Sequence, residues 1–213
     1  MATNQTTANQ ARASAYRLLS ACFYQPETAF LEEDVFGQLR DALAILDDDL
    51  GAKADQLDQA FRRADLDELL LDYSRLFLGP FNILATPYGS VYLDGEKVVM
   101  GDSTLNALAC YRKGAFDLAE DFREVPDHVA VELEFLYLLT FRENEALAQS
   151  DSAAAGVAAL QRAGFLKNHL GRWVAPFCER IRQGSGTDFY RLLADLTENF
   201  LLREKARGVR DAA

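Results

Sequence analysis

The sequence predicts an all-α protein, a single helical bundle-like domain of about nine or ten helices spanning residues 1–213. Three observations predict it. Apolar residues recur at helical three- and four-residue spacing, most clearly in Leu66, Leu69, Leu70, Tyr73, Leu76 and Phe77. Glycine and proline punctuate those stretches at Gln25-Pro26, Gly79-Pro80, Gly114 and Gly184-Ser-Gly-Thr187. One segment, Val129 to Phe141, is apolar around most of its circumference, the pattern of a helix buried inside a bundle.

In chain order, residues 8–24 form a helix with Ala11, Ala15, Leu18, Leu19 and Cys22 on one face, stopped where Pro26 pushes Gln25 out of helical geometry. Thr28 caps a second helix carrying Leu31, Val35, Leu39, Leu43 and Leu46. Acidic residues oppose the dipole at a helix C-terminus, so Asp47-Asp48-Asp49 marks a solvated loop. A third helix covers residues 54–63, and the Leu66–Phe77 pattern gives a fourth. From Gly79 to Gly101 the helical period vanishes. Asp94-Gly95 within residues 91–99 is a hairpin signal, and a lone hairpin is marginally stable, so it reads as one small ornament and no sheet. The loop sets Phe81, Tyr88 and Tyr92 with two prolines between helices. These residues either wall a peptide groove or fold inward as a lid.

Asp102 or Ser103 caps a helix to Lys113, with one or two further turns over residues 115–121 and a hinge between lobes near 115–127. Pro126 suits a helix's first turn and Asp127 its cap. On the bland reading Glu132 and Glu134 are exposed and His128 is bonded locally. On the functional one, the loop before this helix is part of a binding groove. A helix over residues 153–169 is broken by Gly171. Trp173, Phe177 and Ile181 line the next, with Pro176 early in it. Gly184-Ser-Gly-Thr187 is a turn before a last helix carrying Phe189, Leu192, Leu193, Leu196, Phe200 and Leu201.

The charge is lopsided. Of the net −11, residues 1–102 hold −9, with 17 Asp/Glu against 8 Lys/Arg. That surface disfavours nucleic acid and suits a basic peptide. The N-terminal stretch lacks the regions of a secretory signal, and no apolar run is long enough to span a membrane. Cys22, Cys110 and Cys178 are scattered and odd in number, as in reduced cytoplasmic thiols. With only two histidines, and neither a Cys/His cluster nor a Walker-A run, the sequence offers no metal or cofactor site. Asp127-His128 is the one candidate acid–base pair, which keeps an Asp-His nucleotide hydrolase as an alternative. A purely structural helical subunit is another.

Four motifs in order resemble one family. They are Tyr73-Ser-Arg-Leu-Phe-Leu-Gly-Pro80, Pro87-Tyr-Gly-Ser-Val-Tyr-Leu93, Glu124-Val-Pro-Asp-His-Val-Ala-Val-Glu-Leu-Glu-Phe135 and His169-Leu-Gly-Arg-Trp-Val-Ala-Pro-Phe177. With Phe189-Tyr190 they are similar to the TorD/DmsD (NarJ-like) maturation chaperones of molybdenum enzymes, across residues 12–203. The resemblance implies an all-helical, cytoplasmic, non-catalytic protein. Its partners would be an apo molybdopterin-containing oxidoreductase and that enzyme's twin-arginine leader, held until cofactor insertion and before export. It implies leader binding on Tyr73, Leu76, Phe77, Pro87, Tyr88, Tyr92, Pro126, Asp127 and His128. Some members carry tryptophan where Tyr73 and Tyr88 stand, and some bind guanine nucleotide weakly or form domain-swapped dimers. The physics runs the same way: aromatic and proline walls take an apolar stretch, Asp127 and other acidic residues pair with arginines, and His128 tunes that pairing near neutral pH.

Overall fold

The structure, a computed structural model, describes residues 2–79, 83–95, 98–119 and 122–211. Phe81, expected as a groove wall, lies outside them. Eleven α-helices form among the described residues: α1 (Ala2–Ala21), α2 (Ala29–Glu32), α3 (Val35–Leu46), α4 (Asp48–Arg63), α5 (Leu66–Tyr73), α6 (Gly89–Leu93), α7 (Asp102–Lys113), α8 (Val129–Ala148), α9 (Ser152–Asn168), α10 (Leu170–Gly184) and α11 (Asp188–Asp211). A π-helical turn, Ser74–Leu78, continues α5.

The all-α expectation holds, and the extra helix has a local cause. Asp34 adopts a left-handed conformation (φ 51°) that splits the expected second helix into α2 and α3, and Thr28 makes no side-chain cap. The acidic run is not a loop. Asp47 caps α4, accepting from the backbone N–H of Asp49 (3.0 Å) and Leu50 (3.4 Å), so Asp48 and Asp49 sit at a helix N-terminus, where the dipole favours them. Asp65 and Asp151 cap α5 and α9 in the same way.

The hairpin is overturned. Gly89–Leu93 is helical, and among the described residues there is no strand, only an isolated bridge. Val91 and Tyr92 have β-prone side chains, but packing against α10 decides the segment. Residues 115–119 make no further helical turn after α7. The break between α9 and α10 falls at His169 (φ −128°, ψ −93°), not at Gly171. Gly171 lies inside α10, where a Cβ would come within 2.2 Å of the Leu166 carbonyl oxygen, so only glycine permits that close turn. α10 runs on through the exposed Pro176.

Helix α8 is the spine. It packs against α1 and α9, while α10 and α11 close the far side and α4 rests on α11. Leu133, Leu136 and Leu139 are fully buried, each worth about 1.5–3 kcal/mol of transfer free energy. Its apolar circumference gives out at Phe141, which is exposed. Buried charge fastens α1 to this frame. Arg12 pairs with Glu204 of α11, and Asn9 donates to Glu143 of α8 (2.7 Å), which in turn holds Arg162 of α9 (3.1 Å).

Candidate functional site

The loop entering α8 and the segment entering α6 are laced together. Gly89 N–H donates to the Asp127 carbonyl and Val129 N–H to that of Pro87, both at 2.9 Å. Tyr88 and His128 form an antiparallel bridge. The cap of α8 is not Asp127 but His128, whose Nδ1 accepts from Ala130 N–H (3.1 Å). Asp127 instead caps α6, its Oδ2 accepting from Ser90 N–H at 2.6 Å. The carboxylate is fully buried, and its other oxygen has no hydrogen-bond partner among the described residues. The Tyr111 hydroxyl donates to the Pro126 carbonyl (2.7 Å), fixing the loop from below.

Around this knot the candidate residues divide. Pro87, Pro126, Asp127, His128, Tyr73 and Tyr88 gather at the start of α8, with only Tyr88 appreciably exposed. Leu76 and Phe77 belong to the core, where Phe77 meets Phe23, Phe177 and Tyr190. Tyr92 faces away, stacked on Trp173 (5.6 Å, 18°) beneath Arg180.

Three residues join the cluster that spacing did not single out. Tyr24, half exposed, stacks on the His128 ring (6.0 Å, 16°), and Tyr88 meets it edge-on (5.5 Å, 61°). Burial, and after it the charges of Glu134 and Glu124, raise the Tyr24 hydroxyl to about 12. Burial and Glu124 raise Tyr88 to about 12 and also lift Tyr73. The charge of Glu124 thus acts on all three tyrosines, second to burial in Tyr73 and Tyr88. Neither Glu124 nor Glu134 pairs with a cation among the described residues. Glu124 lies inside the third motif, so its position was legible. Tyr24 comes from the end of α1 and carried no signal. Burial lowers His128 to about 4, against the pull of Glu124 and Asp127, so at neutral pH its ring is uncharged and does not titrate as expected from its type.

One turn along α8, Glu132 is fully buried, contrary to the exposed reading, whereas Glu134 is exposed. It accepts from Trp173 Nε1–H (3.1 Å) and lies 2.7 Å from His169 Nε2. Burial pushes its carboxyl up to about 7 although His169 pulls the other way. Glu132 in turn raises His169, against that histidine's own burial. No group of three or more potential metal ligands exists among the described residues, nor any helix long and apolar enough to cross a membrane.

Such a frame is a helical bundle presenting a tyrosine-and-carboxylate surface over a buried capping knot. The profile of the nitrate reductase delta subunit family matches residues 44–179. The chain is 29% identical over 207 residues to a chaperone protein TorD of Shewanella loihica, covering 92% of each. It is 28% identical over 209 residues to a TorD of Vibrio cholerae (92% of this chain, 91% of that one). It is 32% identical over 128 residues to a Tat proofreading chaperone assigned as DmsD in Haemophilus influenzae, covering 59% of this chain and 54% of that one. A crystal structure assigned as a redox enzyme maturation protein from Archaeoglobus fulgidus superposes with TM-score 0.55 at 22% identity over 89% of this chain and 93% of that one, a likeness of fold. The chain belongs to this family, in its TorD/DmsD (NarJ-like) branch of molybdoenzyme maturation chaperones, and is a chaperone rather than an enzyme.

Proposed function

We propose that this chain is a cytoplasmic chaperone that binds the twin-arginine leader and apo form of a molybdopterin-containing oxidoreductase, holding it until the cofactor is inserted and before export. One observation carries the reading: Glu124 and Glu134 have no cationic partner among the described residues, and, after burial, their charges raise the Tyr24 hydroxyl while that of Glu124 also raises Tyr88, whose ring shares the His128 plate with Tyr24. A guanidinium can lie flat on a tyrosine face while its N–H fork meets a carboxylate. Asp127 acts from beneath. Its cap on α6 holds Tyr88, and a carboxylate that deeply buried is out of an arginine's reach. His128 is the uncharged plate on which both tyrosines rest. The Haemophilus relative is named for Tat proofreading, which points the same way.

The test is calorimetric titration with synthetic leaders carrying Arg-Arg, Lys-Lys or Ala-Ala, at low and moderate salt. Binding should saturate, weaken with salt and fall in that order. Glu124→Gln with Glu134→Gln should weaken the Arg-Arg leader roughly tenfold or more, as for loss of charge-assisted hydrogen bonds, with thermal stability unchanged. Equal affinity for all three leaders, or no effect of the double substitution, overturns the proposal.

A further inference from the structure

At the C-terminal end of α6 a half-open cavity of about 720 Å³ lies between α7 and α9. Its volume is that of a small-molecule site. Phe135 and Phe165 form apolar wall, and Val157 and Leu160 stand exposed at its edge. Two cations line it, Lys113 and Arg172, and neither pairs with a carboxylate among the described residues. The one acidic lining residue among the described residues, Asp94, already accepts from the N–H (2.9 Å) and hydroxyl (2.7 Å) of Ser103 and so caps α7. His169 also lines the cavity. It is nearly fully buried, with Nε2 held by Glu132, and its Nδ1 has no hydrogen-bond partner among the described residues. In a chain of net charge −11, this cavity is electropositive and rich in donors.

The geometry points to a second binding site here, for a small organic anion: an apolar body seated on Phe135, Phe165 and Leu160, with a carboxylate or phosphate directed to Arg172, Lys113 and His169. The same cations repel the arginine pair of a leader, so the site is independent of the tyrosine surface and of the function proposed for it. A short chain of contacts lies between the two. His169 is bonded to Glu132, one helical turn from His128, and Gly89 of α6 packs directly on Trp173 and Glu132.

Titrating the full chain with 1-anilinonaphthalene-8-sulfonate and following its fluorescence tests this. One saturable site is expected, emptied by 2-naphthoate or 1-naphthyl phosphate and not by 1-naphthylmethylammonium. Which of the two anions competes better identifies the preferred head group. Lys113→Gln with Arg172→Gln should weaken probe binding at least tenfold. Gly164→Leu is the second variant. Gly164 lines the cavity, and a Cβ there meets nothing within 4 Å. A leucine fills the space and favours the helix, so binding should be lost with no fall in melting temperature. The proposal is overturned if the ammonium competes as well as the anions, or if probe binding survives both variants unchanged.

Discussion

Replacing Glu132 by glutamine keeps the shape of a side chain at the centre of the molecule and removes only its charge. The glutamine carbonyl can still accept from Trp173, and its amide can still donate to His169. Glu132 has a folded pKa of about 7 against an ordinary 4.5, with burial the cause. Between those values the unfolded chain gives up a proton that the folded chain retains. The stabilisation is therefore complete below pH 4.5 and is lost as pH rises to 7. At roughly 1.4 kcal/mol per pKa unit that is about 3 kcal/mol. His169, raised above its ordinary 6.5, adds a loss in the same direction at higher pH. His128 runs the other way. Lowered from 6.5 to about 4, it favours the folded state above 6.5, and that advantage disappears as pH falls to 4. The two opposing contributions nearly cancel between pH 4.5 and 6.5, so the native protein hides both. In Glu132→Gln the Glu132 slope is gone while that of His128 remains. The stability of the variant relative to the native protein should rise by about 3 kcal/mol between pH 4.5 and 7. Urea unfolding at several pH values, followed by the fluorescence of the single tryptophan, Trp173, measures it. A difference independent of pH would refute the assigned protonation of this cluster.

Asp127→Ala strips α6 of its cap and leaves Ser90 N–H unsatisfied. It should cost about 1–3 kcal/mol and weaken leader binding through displacement of Tyr88, seen as a lowered melting temperature together with a raised Kd. Gly89→Ala places a methyl 2.9 Å from Trp173 Nε1 and 3.3 Å from Glu132 Oε1. Overpacking of about 1–3 kcal/mol with shifted tryptophan emission is expected, and native stability with native emission would contradict that packing. Glu204→Ala leaves Arg12 buried without its carboxylate, at a cost of about 3–5 kcal/mol in chemical denaturation. A change under 1 kcal/mol would show that the ion pair does not hold α1 to α11.

Much of the helical layout was legible because its causes are local. Residues 66–77 and 129–141 carry their periodicity in the chain, and glycine and proline mark their ends. The splitting of α2 from α3 was not legible, because it turns on one aspartate in a left-handed conformation. The candidate site was legible in part. The motifs name Tyr88, Asp127 and His128, which the structure places side by side, and also Leu76 and Phe77, which build the core. The burial of Glu132 was invisible, since Glu132 and Glu134 look alike along the chain. Position on the helix circumference separates them, one facing His169 and Trp173, the other water.

The same division runs through the aspartates. The sequence alone determined where the most regularly periodic helices run, as over residues 66–77 and 129–141, because periodicity is a property of neighbouring residues. Caps such as Asp47, Asp65 and Asp151 act on their own helices within three residues. Only the tertiary structure decided that Asp127 would cap α6, that Asp94 would cap α7, and that Asp72 of α5 would bind the turn into α11 through Gly186, Thr187 and Ser185. A helix's first N–H groups require an acceptor but do not specify its place in the chain, so three aspartates of like composition became fasteners between distant segments. The tyrosine surface adjoins the first residue of one helix held in this way, and the cavity its last.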